Sequence, residues 1–77
     1  MKLKFYAITK DYFGDSITIE KNLISIQDLK QELITQNPEA EQVVNNCRFA
    51  VDMNFVDEYF LLQPNFEINV IPPSSGG

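Results

Sequence analysis

The sequence has no histidine, a single cysteine (Cys47) and only six basic residues against eleven acidic ones. Each shortage removes a class of chemistry. A Cys/His metal centre, an iron–sulfur cluster and a histidine-based catalytic triad are excluded by inventory. One cysteine also permits no intramolecular disulfide. The net charge of −5 repels a phosphate backbone, and no basic cluster overrides it, so no nucleic-acid partner is expected. The acidic balance suits a partner with a positive surface and serves equally as a solubility device. No apolar run approaches the roughly 18 residues of a membrane span. Residues 1–4 run straight into a strand-like pattern and lack the apolar core of a signal peptide. A soluble, cytoplasmic protein with no membrane association is the expectation.

The chain has 77 residues and is 44% hydrophobic, which suits one small folded domain. Domains this small bury only about 60% of their unfolded surface. A core leaves little room for a deep catalytic pocket as well. A binding or carrier module is favoured on size alone.

Hydrophobic periodicity predicts the elements. Residues 2–8 alternate, with Leu3, Phe5 and Ala7 inward and Lys2, Lys4 and Tyr6 outward, as in a half-buried strand. Residues 10–14 read as a turn, punctuated by Gly14-Asp15. Residues 16–20 form a second strand with Ile17 and Ile19 inward. Ser25 is placed to cap a helix, and Asp28 three residues on completes a capping box. Ile26, Leu29, Leu33 and Ile34 share one face of that helix, and Asn37-Pro38 stops it. Residues 39–46 add a short helical turn with Val43 or Val44 against the core. Residues 47–52 form a third strand with Phe49 and Val51 inward and Arg48 and Ala50 outward. Asp52-Met53-Asn54 turns into a short strand at Phe55-Val56, and Gln63-Pro64-Asn65 turns into the last strand, residues 66–71. There Phe66, Ile68 and Val70 face inward and Glu67, Asn69 and Ile71 outward.

One helix among five strands must cover one sheet face. The compact solution is the α+β, β-grasp arrangement: a mixed sheet of about five strands on one main helix, with the first and last strands adjacent at its centre. Residues 1–71 make this domain and residues 72–77 an extended, flexible carboxyl-terminal tail.

The tail is the unusual feature. Pro72-Pro73 cannot continue a paired strand and holds the backbone extended. Ser74-Ser75 is small and polar, and Gly76-Gly77 has no side chains. Six residues at about 3.3 Å each reach roughly 20 Å. Glycine lets a neighbouring backbone approach closely. Such an arm can enter a narrow channel on another protein and deliver a terminal carboxylate.

Three stretches carry a family resemblance. They are Lys2-Leu3-Lys4-Phe5-Tyr6-Ala7 with Lys10-Asp11 and Gly14, Phe49-Ala50-Val51-Asp52 followed by Phe55-Val56, and Ile71-Pro72-Pro73-Ser74-Ser75-Gly76-Gly77. Together they resemble the small sulfur-carrying subunits of molybdopterin synthase, within the ubiquitin-like sulfur-carrier superfamily. The di-proline plus terminal Gly-Gly is the specific part. Ser74 stands where Val is frequent, Asp52 where Asn is frequent, and Gln63-Pro64-Asn65 where Asp or Gly is common. The resemblance implies that an ATP-using, E1-like partner adenylates Gly77. A sulfur donor then displaces AMP to leave a thiocarboxylate, which is a good nucleophile. The carrier docks on the large subunit of molybdopterin synthase and gives sulfur to a pterin precursor. A heterotetramer with two copies of each subunit is implied, and the chain itself binds no cofactor and no metal.

Gly77 is thus the candidate sulfur carrier. Gly76, Ser75, Ser74, Pro73 and Pro72 form the arm that enters the partner. Tyr6, Phe55 and Ile71 are expected on the sheet face away from the helix, near the root of the arm, as the docking patch. Glu39 with Glu41, and Asp57 with Glu58, are solvated carboxylates with no pocket implied. Cys47 reads as a small buried apolar residue at a strand start rather than as a sulfur-transfer group. The rival readings are a thiamine-pathway sulfur carrier, a ubiquitin-like modifier joined to lysines through Gly77, and a plain β-grasp interaction domain.

Overall fold

The computed structural model describes residues 1–73. The elements run β1 (Lys2–Phe5), α1 (Thr9–Phe13), β2 (Ser16–Thr18), α2 (Ile26–Gln36), a 3-10 turn (Pro38–Ala40), α3 (Glu41–Asn45), β3 (Arg48–Val51), β4 (Asn54–Val56) and β5 (Glu67–Ile71). The sheet order is β2-β1-β5-β3-β4. Strands β1 and β5 are parallel neighbours at the centre, and every other pairing is antiparallel. This is the expected β-grasp topology.

Alternation along the strands builds the core. Leu3, Phe5, Phe49, Val51, Ile68 and Val70 point to the helical side, where Ile26, Leu29 and Leu33 of α2 and Val44 of α3 meet them, all nearly or fully buried. Helix α2 begins where both halves of the capping box close. Ser25 Oγ accepts from the Asp28 N–H, and the Asp28 carboxylate accepts from the Ser25 N–H. That satisfies two donors that a bare helix start leaves open. Asn37 ends it in an extended conformation, and Pro38 opens the 3-10 turn. Lys30, half-buried on α2, lays its ammonium 5.9 Å from the centre of the Phe49 ring.

Three expectations need correction. Strand β1 ends at Phe5, not at residue 8, because the chain turns sharply: Ala7 has φ 52° and is exposed rather than inward. Residues 10–14 hold the short helix α1 rather than a plain turn; its Phe13 stacks on Phe5 with ring centroids 4.9 Å apart. Ala50 lies on the outer face as expected, yet it is buried, flanked across the sheet by Phe55 and Asn69. The stretch between β4 and β5 pairs back onto the start of α2. Ile26 and Gln27 donate to the carbonyls of Phe60 and Glu58, Leu62 donates to Ile24, and Ser25 bridges to Leu61.

Candidate functional site

Register decides what the outer sheet face carries. Arg48 lies opposite Ile71, Ala50 opposite both Asn69 and Phe55, and Lys4 opposite Asn69. Phe5 is paired with Val70, so Tyr6 follows it alongside Ile71. In-register neighbours share a face. Tyr6, Ile71 and Phe55 therefore lie together on the side away from α2, as expected. Tyr6 is 40% exposed and Phe55 51% exposed, while Ile71 is half-buried.

Two polar residues tie this patch together. The Arg48 guanidinium lies 3.7 Å from the centre of the Phe55 ring, and the Tyr6 hydroxyl donates to Asn69 Oδ1 at 2.7 Å. A cation held against a ring face is worth about 0.5–1 kcal/mol when exposed. Here it also orders two side chains that a partner would otherwise have to order. Neither Arg48 nor Asn69 was named as a site residue from sequence. Alternation alone had both pointing outward, but only the register sets them beside Phe55 and Ile71.

Strand β5 hands the chain from this patch to Pro72 and Pro73. Alternation places Pro72 on the opposite side from Ile71. It is half-buried, and with Pro73, Ile8, Gln42, Val43 and Asn46 it lines a shallow cleft of about 270 Å³. The root of the arm is thus flanked by Tyr6 and Ile71 on one side and by Ile8 and Val43 on the other. Ser74, Ser75, Gly76 and Gly77 lie outside the described residues.

The remaining candidates lie elsewhere. Glu39 and Glu41 are exposed. Asp57, whose Oδ1 accepts the Tyr59 N–H, and half-buried Glu58 line a shallow cleft of about 350 Å³ with Cys47 and Arg48, where the sequence implied no pocket. Among the described residues no group of three His, Cys, Asp or Glu could hold a metal ion. No helix among them is long and apolar enough to cross a membrane. Cys47 is 7% exposed, and its thiol donates to the Val43 carbonyl at 3.1 Å. Burial pushes its pKa from 9.0 up to about 11, against a weaker opposing pull from Lys30. A thiol so placed is a poor nucleophile at neutral pH.

A sequence model of the ThiS family matches residues 3–77. The chain belongs to the ThiS family. A human relative, the molybdopterin synthase sulfur carrier subunit, is 38% identical over 67 residues, covering 83% of this chain and 75% of that protein. Among solved structures, the putative molybdopterin converting factor subunit 1 from Pyrococcus furiosus superposes with a TM-score of 0.74 at 18% identity, covering 95% of each chain. SAMP1 from Haloferax volcanii gives 0.75 at 16% identity, over 99% of this chain and 97% of that one. A chain from the complex of subunits 1 and 2 of the molybdopterin-converting factor of Helicobacter pylori gives 0.68 at 17%, over 99% and 96%. These structural likenesses establish the ubiquitin-like β-grasp fold.

Proposed function

We propose that this chain is a sulfur carrier for molybdenum-cofactor assembly, with a free Gly77 carboxylate as the group that is loaded. The observation that carries the reading is the geometry at the end of β5. A central strand leaves the sheet beside an ordered apolar patch of Tyr6, Ile71 and Phe55 and passes directly into Pro72-Pro73. A docking face and the root of a delivery arm are thereby held on one rigid element. The identity to a protein named as the sulfur carrier subunit of molybdopterin synthase supports the same reading.

A carboxylate is a poor electrophile, so activation must come first. An E1-like partner adenylates Gly77 with its own bound ATP. The acyl-adenylate is a mixed anhydride, and a sulfur donor displaces AMP to give the thiocarboxylate. Tyr6, Phe55 and Ile71 then seat the carrier on the large subunit of molybdopterin synthase. Pro72 to Gly76 thread the arm inward, and the thiocarboxylate sulfur attacks the pterin precursor and displaces an oxygen substituent. Water then cleaves the acyl–sulfur bond, leaving sulfur on the pterin and a free Gly77 carboxylate, one sulfur for each carrier that docks. The dithiolene needs two sulfurs, which fits a cytoplasmic heterotetramer with two copies of each subunit. This reading requires no catalytic group of the chain beyond the Gly77 carboxylate.

Intact mass spectrometry tests the loading step. Incubated with the activating partner, ATP and a sulfur donor, the chain is expected to exchange one oxygen for sulfur at Gly77. A variant extended past Gly77 is expected to stay unloaded. Normal loading of the extended variant would overturn the reading. So would capture of a thiazole-forming synthase, or of lysine-linked conjugates, in place of a large molybdopterin synthase subunit.

A further inference from the structure

The end of β1 poses a hydrogen-bonding problem that one side chain solves. In the parallel pair, Lys2 lies opposite Glu67 and Phe5 opposite Val70, and the Lys2 N–H donates to the Phe66 carbonyl. In such a ladder a residue donates to the neighbour before its opposite number and accepts from the neighbour after it. Were the register carried on to Tyr6, its N–H would meet the Val70 carbonyl and its own carbonyl would meet the nitrogen of Pro72, which has no hydrogen to give. Main-chain groups at a packed edge need partners. Thr9 supplies them. Its hydroxyl donates to the Tyr6 carbonyl and accepts from the Tyr6 N–H at 3.0 Å. Its own N–H also reaches the Tyr6 carbonyl, at 3.2 Å. Thr9 has no exposed surface and is the only buried polar residue among those described.

This clasp has a consequence for shape. It closes residues 6–9 into a tight turn in which Ala7 takes the left-handed conformation, φ 52°. Tyr6 is left beside Ile71 on the outer face, its hydroxyl on Asn69, while Ile8 is brought round to the cleft lined by Val43, Pro72 and Pro73. The residues on either side of Ala7 therefore bracket the Ile71-Pro72 step from the two sides of the sheet. Helix α1 anchors the far end of the turn, since the Asn37 side chain donates to the Tyr12 carbonyl at 3.2 Å.

We propose that Thr9 is a positioning residue: its clasp on Tyr6 replaces the hydrogen bond that Pro72 cannot make, and fixes the bracket that sets the direction in which the arm leaves β5. The consequence for Gly77 delivery rests on the sulfur-carrier reading; the geometry does not. Thr9→Val keeps the side-chain shape and removes the hydroxyl, and Thr9→Ser keeps the hydroxyl. Amide residual dipolar couplings report direction without any partner. In Thr9→Val the couplings of Ile71 at the arm's root, and of Tyr6 and Ile8 beside it, are expected to lose their wild-type values, while those of α2 and β3 keep them and Thr9→Ser restores them. Pro72→Ala supplies the missing N–H. Thr9→Val should therefore raise the unfolding constant about tenfold in the parent chain and much less in the Pro72→Ala background. Wild-type couplings at Ile71, Tyr6 and Ile8 in folded Thr9→Val would overturn the proposal, as would an equal cost in both backgrounds. Should Thr9→Val fail to fold alone, the Thr9→Val/Pro72→Ala chain decides: folded supports the link, unfolded refutes it. A wild-type chain that never loads sulfur defeats the carrier reading and leaves the couplings to judge Thr9.

Discussion

Alkaline unfolding isolates the one thiol. Folded Cys47 is buried and holds its proton to about pH 11, whereas its ordinary pKa is 9.0. Between those values the unfolded chain has released a proton that the native chain keeps. Fewer protons bound in the unfolded state means that stability falls as pH rises. The contribution is whole below about pH 9 and gone beyond about pH 11. Two units at about 1.4 kcal/mol each give about 3 kcal/mol at most. The comparison is with Cys47→Ala, which cancels every pH effect that does not come from the thiol. That variant leaves a small cavity whose cost does not depend on pH. Urea unfolding of both chains at a series of pH values gives the stability difference between them. This difference, wild type minus variant, is expected to shrink by about 2–3 kcal/mol across the window. A difference flat in pH would refute the account. The same shift leaves only about one thiol in ten thousand ionised at pH 7. Iodoacetamide should then label native Cys47 far more slowly than the unfolded chain, as expected if sulfur does not pass through it.

Two further outcomes follow from the surface. If the chain is a sulfur carrier, Phe55→Asp should weaken binding to the large subunit of molybdopterin synthase by about 2 kcal/mol or more, because it removes the ring that Arg48 covers. Calorimetry reads the affinity and circular dichroism should find the fold intact; unchanged affinity would remove this patch from the interface. Met53→Gly should stabilise the chain by about 1 kcal/mol in urea. Met53 is 97% exposed at φ 66°, beside Asp52 at φ 51°, in a two-residue hairpin whose positive φ angles favour glycine.

The elements that sequence made legible are those with a long period and an apolar face. Helix α2 announces itself through Ser25, Asp28 and the Ile26-Leu29-Leu33 stripe. Strands β1, β3 and β5 announce themselves through alternation. What stayed hidden depends on contacts between distant residues. Alternation continues through Ala7 in the sequence, and nothing local says that Thr9 will capture the Tyr6 backbone once Pro72 withholds its N–H. Helix α1 is only five residues long, too short to display a period. Ala50 reads as outward from parity alone, but its burial needs the cross-strand positions of Asn69 and Phe55. The pairing of residues 58–62 with residues 24–27 is non-local and leaves no pattern in either segment. At the candidate site, parity sufficed for Tyr6, Phe55 and Ile71, while Arg48 and Asn69 emerge only when register sets side chains next to one another.

Strand polarity explains why the patch and the root of the arm share one edge of the sheet. Strands β1 and β5 are parallel, so both end there, at Phe5 and Ile71. Strand β3 runs against β5 and therefore begins there, at Arg48, and β4 runs against β3 and ends there, at Val56. An antiparallel β1–β5 pair would send Tyr6 to the opposite edge and leave Ile71 without its aromatic neighbour. Parity then selects the face: a slip of one residue in β5 would turn Ile71 toward α2 and Val70 outward. The core resists that slip, because Ile68 and Val70 are fully buried and would be replaced by Glu67, Asn69 and Ile71. Burying a carboxylate or an amide without partners costs several kcal/mol. The packing that stabilises the domain therefore also fixes which side of the sheet carries Ile71, and the Tyr6–Ile71–Phe55 patch needs no separate device to hold its register.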